Sequence, residues 1–206
     1  MTDTLSTLTK DSVDANPIRQ FQKWYEEARA AGVSEQDAIS MTLATATKAG
    51  RPSTRIVLLK SVDDSGFVFY TNYQSRKGKE LDENPQASLL FYWSTFWRQV
   101  RIDGIVKKVS AAESEEYFQS RPLGSKLGAW ASNQSEVVNS RETLEGRFAE
   151  LEKRFGEEVP RPSHWGGYRL EPNAIEFWQG RDNRLHDRLH YRLQEDGTWV
   201  IERLGP

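Results

Sequence analysis

The chain has 206 residues, with 28 Lys plus Arg against 30 Asp plus Glu and a formal net charge of −2 at pH 7, too balanced for a protein that coats nucleic acid by charge alone. Hydrophobic residues make up 37% and charged residues 28%, with 7 Trp, 9 Phe and 7 Tyr, a mixture that builds a packed core and is unlike a disordered chain. The absence of cysteine excludes disulfides, thiolate nucleophiles and cysteine-held zinc or iron–sulfur clusters.

The first 15 residues are rich in Thr, Ser and Asp and lack the basic start and apolar run of a secretory signal. They read as a mobile arm over 1–15 ahead of a single domain over 16–206. No window approaches the roughly 18 apolar residues of a membrane span, and the expected location is the cytoplasm. Asn16-Pro17 is an N-cap with proline at the first helical position, and Ile18, Phe21, Trp24, Tyr25 and Ala28 keep helical spacing until Gly32. From Met41 the pattern turns to alternation. MTLATAT, TRIVLLKSV and FVFYT read as three strands joined by turns at 48–52 and 63–66. Ser75 caps a short helix to about Glu83, ended by Asn84-Pro85, before strands ASLLFYW and RQVRIDGIVKKV. Ser110 and Glu113 form a capping box for a helix through Tyr117 and Phe118. Leu144, Phe148, Leu151 and Phe155 mark a further helix ended near Gly156. Strands follow at about 167–170, 174–179, 185–192 and 198–204. Many short strands with inserted helices and no βαβ alternation predict an antiparallel barrel in an α+β protein. Signatures of dinucleotide folds, P-loops and zincins are absent.

Three polar groups stand out. Arg55 and Lys60 flank IVLL, and Arg76-Lys77 follow the Ser75 cap, where free backbone N–H groups and the helix dipole suit a phosphate; a solvated charge pair fits the same spacing. Tyr117, Arg121 and Ser125 recur at intervals of four around the turn at Pro122 and Gly124, so phenol, guanidinium and hydroxyl can converge on one oxyanion; an arginine complementing a helix C-terminus is the plainer account. After a turn at Asp182-Asn183, alternation puts Arg184, His186, Arg188 and His190 on one strand face, which reads equally as an exposed basic face. The flanking arginines argue against His186 and His190 as a metal pair. Trp165, Trp178 and Trp199 read as core, and Gln99 as a solvent-facing strand residue.

Seven blocks in fixed order then identify a family. RIVLLK at 55–60, FVFYTNYQSRKGKEL at 67–81, NPQASLLFYW at 84–93, RQVRIDG at 98–104, YFQSRPLGSKLGAWAS at 117–132, HWGGYRL at 164–170 and IEFWQGRDNRLHDRLHY at 175–191 resemble the pyridoxine/pyridoxamine 5′-phosphate oxidases over roughly residues 16–206. The resemblance implies a split antiparallel β-barrel of FMN-binding type with flanking helices, in a homodimer with interfacial active sites. It implies FMN held by Arg55, Ile56, Val57, Leu58, Lys60, Tyr70, Thr71, Arg76, Lys77, Gln99, Gln134, Ser135, Trp178 and Arg188. It puts the substrate phosphate at Lys60, Tyr117, Arg121 and Ser125, and the pyridine ring at Arg184, Leu185 and His186, with Arg184 and His186 as the catalytic pair. The implied reaction takes pyridoxine 5′-phosphate or pyridoxamine 5′-phosphate and O2 to pyridoxal 5′-phosphate and H2O2, with no metal, nucleic acid or membrane partner. The Arg-x-x-Tyr element with which many relatives can close over substrate is missing, since LSTLTKDSVDANP has neither residue before Pro17. A non-catalytic flavin or pyridoxal phosphate binder on the same barrel is a rival reading that the intact RLH at 184–186 disfavours. A nucleic-acid binder using the Arg-rich stretch at 181–192 is disfavoured by net charge.

Overall fold

The structure, a computed structural model, describes residues 6–206. Helix α1 (Pro17–Ala30) starts where the Asn16 side chain accepts the N–H groups of Ile18 and Arg19, and it buries Ile18, Phe21, Trp24 and Ala28 along one face. Phe21 meets Phe67 edge-on at 4.9 Å and Trp24 meets Phe177 at 5.2 Å, which fastens the helix to the sheet. A short α2 (Glu35–Ile39), capped by Ser34, lies between this helix and the first strand. Five residues carry too little period to announce a helix.

Strands β1 (Ser40–Ala46), β2 (Pro52–Leu58), β3 (Ser61–Asp63) and β4 (Gly66–Asn72) follow. The TRIVLLKSV run is thus two strands. Leu59 and Lys60 leave the ladder, their N–H groups donating to the carbonyls of Ile39 and Val68. Next come α3 (Arg76–Glu83), β5 (Gln86–Trp93), β6 (Arg98–Lys108), α4 (Ala111–Gln119), α5 (Leu123–Ala131) and α6 (Arg141–Phe155). The chain ends with β7 (Trp165–Gln179), β8 (Asp187–Leu193) and β9 (Trp199–Arg203). The order β2-β1-β5-β6-β7-β4-β3 is antiparallel throughout and does not close, with β8 and β9 continuing from β7. This is the expected α+β split barrel.

β7 organises the split. Its first half pairs with β4, from Asn72↔Trp165 to Phe67↔Leu170, and its second half pairs with β8, from Ala174↔Arg192 to Gln179↔Asp187. The two strands expected at 167–170 and 174–179 are one, bent at a bulge where the register shifts between Asp103 and Gly104. Pro172 sits at this bulge, where its missing N–H is tolerated. A Cβ on Gly104 would fall 2.1 Å from the Glu171 carbonyl oxygen, so only glycine allows this approach. Alternate positions of β1, β5, β6 and β8 fill the main core with Met41, Leu43, Leu89, Phe91, Val100, Ile102, Leu189 and Tyr191. A smaller core under α4–α6 holds Phe118, Leu127, Val159 and Trp165.

Two expectations are corrected. Residues 6–15, expected as part of a mobile arm, are docked: Leu8 is buried, its N–H donates to Asp187 at 3.1 Å, and the Tyr191 hydroxyl donates to the Asp14 carbonyl at 2.7 Å. The remainder of that expectation, residues 1–5, lies outside the described residues. The strand expected from Leu185 starts at Asp187 instead, because residues 182–184 form a 3-10 turn with Asn183 and Arg184 at φ of 55° and 62°. Arg184 and His186 therefore precede the strand, and only Arg188 and His190 share a strand face.

Candidate active site

A cavity of about 630 Å³ opens between β2, the end of β4, the first turn of α3 and the α4–α5 corner. Ile56, Val57, Leu58, Lys60, Tyr70, Thr71, Lys77, Tyr117, Arg121, Ser125 and Gln134 line it, eleven of the residues expected at the site. Its aromatic wall has a local cause. Tyr70 pairs across the ladder with Gly167, where a Cβ would come within 2.7 Å of the Tyr70 ring; the bare glycine lets that ring lie flat over the strand. Tyr117 stacks on Tyr70 at 3.9 Å, and Trp165 stacks behind Tyr70 at 5.5 Å. Burial pushes the Tyr70 phenol up to about 12, so it stays a neutral donor at physiological pH.

Arg121 stands at one end. It follows α4 and precedes α5, a helix that the Pro122-Gly124 turn concealed and that tertiary packing of Leu127 and Ala131 supports despite two glycines. Its guanidinium lies 4.6 Å from the Trp165 ring centroid, and its buried Nη1 has no hydrogen-bond partner among the described residues. Burial lowers its pKa, opposed only by Tyr117. A buried, unpartnered guanidinium N–H is costly, and an anion bound in the cavity that Arg121 lines would offset that cost. Lys60, 5.9 Å from the Tyr117 ring centroid, is the second cation at this end.

The other end is the start of α3. Ser75 accepts the Gly78 N–H, and Lys77 is buried with its Nζ donating to Gln134 at 2.6 Å and to Thr71 at 3.1 Å. Burial, then the charge of Arg55, brings the Lys77 ammonium down to about 8, against a smaller opposing pull from Glu80. Arg55 and Arg76 stand just behind, both bound to Glu80, at 3.4 and 2.9 Å. Thr45 and Ser53 also donate to Glu80, so burial of this carboxylate is outweighed and its pKa falls to about 2. Arg76 and Ser135 border an adjoining hollow of about 430 Å³ that shares Gln134 with the cavity.

The other expected residues form a separate group. Gln99 on β6, Trp178 on β7 and Arg188 on β8 are in register as direct neighbours, and His186 packs on Trp178 at 4.7 Å beside Arg184 and Leu185. Arg188 is engaged by Glu176 at 2.8 and 3.0 Å and by the Gly205 carbonyl, while Leu185 is 69% exposed. None of the six lines the cavity. Along β7 the rows pairing with Tyr70 and with Gln99 are Gly167 and Trp178, eleven residues or roughly 35 Å of strand apart.

Sequence reasoning missed Glu80 and Trp165. Glu80 sits in the charged run KGKELDE, which reads as a solvated face, and only the β1–β2 register brings Thr45, Ser53 and Arg55 to it. Trp165 is buried as expected, yet its ring also walls the cavity.

The sequence model described as pyridoxamine 5′-phosphate oxidase matches residues 26–155, and that of the pyridoxine 5′-phosphate oxidase C-terminal dimerisation region matches 165–206. The chain is 59% identical over 199 residues to a pyridoxine/pyridoxamine 5′-phosphate oxidase of Bordetella pertussis, covering 97% of this chain and 93% of that protein. It is 58% identical over 204 residues to one of Trichormus variabilis, covering 98% and 94%. Among solved structures, PhzG from Burkholderia lata in complex with tetrahydrophenazine-1-carboxylic acid superposes with a TM-score of 0.90 at 36% identity, over 98% of this chain and 100% of that one.

Proposed function

The chain belongs to the pyridoxamine 5′-phosphate oxidase family, and from that premise we propose that it converts pyridoxine 5′-phosphate or pyridoxamine 5′-phosphate to pyridoxal 5′-phosphate, using FMN and O2. The observation that carries this reading is the buried Arg121 Nη1, without a partner among the described residues, at the edge of a cavity walled by stacked aromatic rings and shared with Lys60, Tyr117 and Ser125. That donor set suits a phosphate ester: a planar fork, an ammonium, and two hydroxyls.

FMN fits the same cavity. Its phosphate would meet Lys77, Arg55 and Arg76 at the α3 terminus, with Thr71, Gln134 and Ser135, and its ring would lie along Ile56, Val57 and Leu58 with Tyr70. When bound, FMN supplies the two-electron chemistry, accepting a hydride equivalent from C4′ of the substrate and passing both electrons to O2, so that the alcohol gives aldehyde plus H2O2 and the amine gives aldehyde, ammonia and H2O2 after hydrolysis of an imine. The chain's own task is alignment. Anchoring the substrate phosphate at Arg121 and Lys60 supplies binding energy remote from C4′ and fixes that carbon against the cofactor. Arg184 would orient the ring and polarise its substituents, and His186 would hold or move a proton.

The distance along β7 bears on assembly. A turn carrying Arg184 and His186 that lies outside the cavity of its own chain can serve a neighbour's, and the C-terminal match is to a dimerisation region. We therefore read the active unit as a homodimer in which Gln99, Trp178, Arg184, Leu185, His186 and Arg188 of each copy complete the partner's cavity. No helix among the described residues is long and apolar enough to cross a membrane. A cytoplasmic setting is assigned because phosphate esters do not pass a bilayer unaided.

The test is to mix purified protein, FMN and pyridoxamine 5′-phosphate and follow aldehyde absorbance and peroxide. Arg121→Ala should cut kcat/KM for the phosphorylated substrate by about 10–100-fold, the worth of charge-assisted bonds, and leave the slow oxidation of unphosphorylated pyridoxine nearly unchanged. Equal losses for both would contradict the anchor, and a flavin-loaded protein that makes no peroxide would support the binding-module alternative.

A further inference from the structure

The turn that carries Arg184 and His186 is held in an uncommon backbone state. Asn183 and Arg184 are consecutive non-glycine residues in the left-handed region, a conformation that persists only where surrounding contacts over-determine it. The turn is flanked by Arg181 on one side and by Asp187 on the other, the first residue of β8, which is 6% exposed. Its Oδ2 accepts the Arg181 Nε–H at 2.8 Å and the Leu8 N–H at 3.1 Å, and its Oδ1 accepts from Arg203 at 2.8 Å. The same two arginines reach on to the N-terminal strap: Arg181 donates to the Ser6 carbonyl and Arg203 to the Leu8 carbonyl, while Gln179 also donates to Ser6 at 3.1 Å. Within the turn, the Arg181 N–H donates to His186 Nδ1 at 3.1 Å, which assigns the ring proton of neutral His186 to Nε2, and the Leu185 N–H donates to the Asp182 carbonyl at 3.1 Å.

We infer that Asp187 is a positioning residue: it fastens the strap at Ser6–Leu8, the C-terminal strand at Arg203 and the Arg181–His186 turn into one unit, so that docking of the strap and presentation of Arg184 and His186 rise and fall together. The chemistry selects a carboxylate. Three donors meet one side chain between two guanidinium groups, and an amide would supply one acceptor oxygen and turn its own N–H groups on Arg181 or Leu8. Where Arg-x-x-Tyr is missing from the arm, the strap still acts on the site, through the turn rather than by covering it. The catalytic consequence rests on the proposed roles of Arg184 and His186; the mechanical coupling does not.

Hydrogen–deuterium exchange of the full-length protein with FMN added tests the coupling directly, because the amides of Leu8, Arg181 and Leu185 are the donors in question. In Asp187→Asn all three should lose protection together, by about tenfold or more. Steady-state assays should show kcat/KM for pyridoxamine 5′-phosphate falling at least about tenfold while the amides of Lys60 and Tyr73, bonded to Val68 and His164 beside the cavity, keep their protection. Release of Leu8 with Arg181 and Leu185 still protected overturns the inference, and so does a parallel loss of protection at Lys60 and Tyr73, which marks a general fold defect. Should Asp187→Asn not fold, Arg203→Gln breaks the strap bond while Arg181 keeps the carboxylate, and Leu185 must again follow Leu8. Exchange is read whatever the protein catalyses. Coupled exchange without oxidase activity in the wild type would sink the proposed function alone, and oxidase activity with independent strap and turn would sink the coupling alone.

Discussion

At the scale of single residues, the cavity's cationic end is tuned by burial. Lys77 has its pKa brought down to about 8 because it is desolvated beside Arg55, so at and above that pH a bound phosphate dianion must restore its proton. The sign follows: between the free value near 8 and the higher value in the complex, FMN binding takes up a proton, and affinity should fall by up to about tenfold per pH unit. The phosphate's own second ionisation, near pH 6, is complete over that range and leaves the slope to the lysine. Fluorescence titrations of FMN at pH 7, 8 and 9 should show this slope, and Lys77→Met should bind more weakly with the slope gone; a flat wild-type profile would remove Lys77 from the phosphate site. Lysines and arginines at turn and helix starts were legible in the sequence because their positions follow from local rules. Glu80, which holds Arg55 and Arg76 in place, was not, because its partners come from β1 and β2 and meet it only through pairing at long sequence range.

At the scale of elements, legibility followed period and caps. The Asn16, Ser75 and Ser110 caps sit at the starts of α1, α3 and α4, and the alternation of β5 and β6 survives in their burial. α5 was hidden by Pro122, Gly124 and Gly128, since its helicity comes from packing Leu127 and Ala131 rather than from propensity. The continuity of β7 was hidden by Pro172, which reads as a break and is accommodated by the bulge opposite Gly104. This bulge lets one strand serve β4 at one end and β8 at the other, and so sets the distance between the cavity and the Arg184 turn. Gly104→Ala should therefore destabilise the protein by about 1–3 kcal/mol, the range for overpacking against a fixed neighbour, read as a lowered urea midpoint with an unchanged slope. A midpoint within error of wild type would show that β7 can move aside at Glu171.

At the scale of the whole molecule, the family's site residues separate into a cavity set and a turn set, a division that residue types cannot reveal and the register along β7 does. Two-fold symmetry would reconcile them, since an isologous pair would present each copy's turn to the other's cavity and form the two composite sites proposed above. The exposed Leu185 and Ile56, 69% and 62% accessible in the single chain, are apolar groups that such a pairing would cover. The decisive measurement is complementation: Arg121→Ala in one copy and Arg184→Ala in the other, assayed alone and after co-assembly at substrate concentrations below saturation. Composite sites predict that each variant alone is nearly inactive and that the mixture regains about a quarter of wild-type activity, because half the dimers are mixed and each of those has one intact site. A mixture no more active than its components would contradict the shared site.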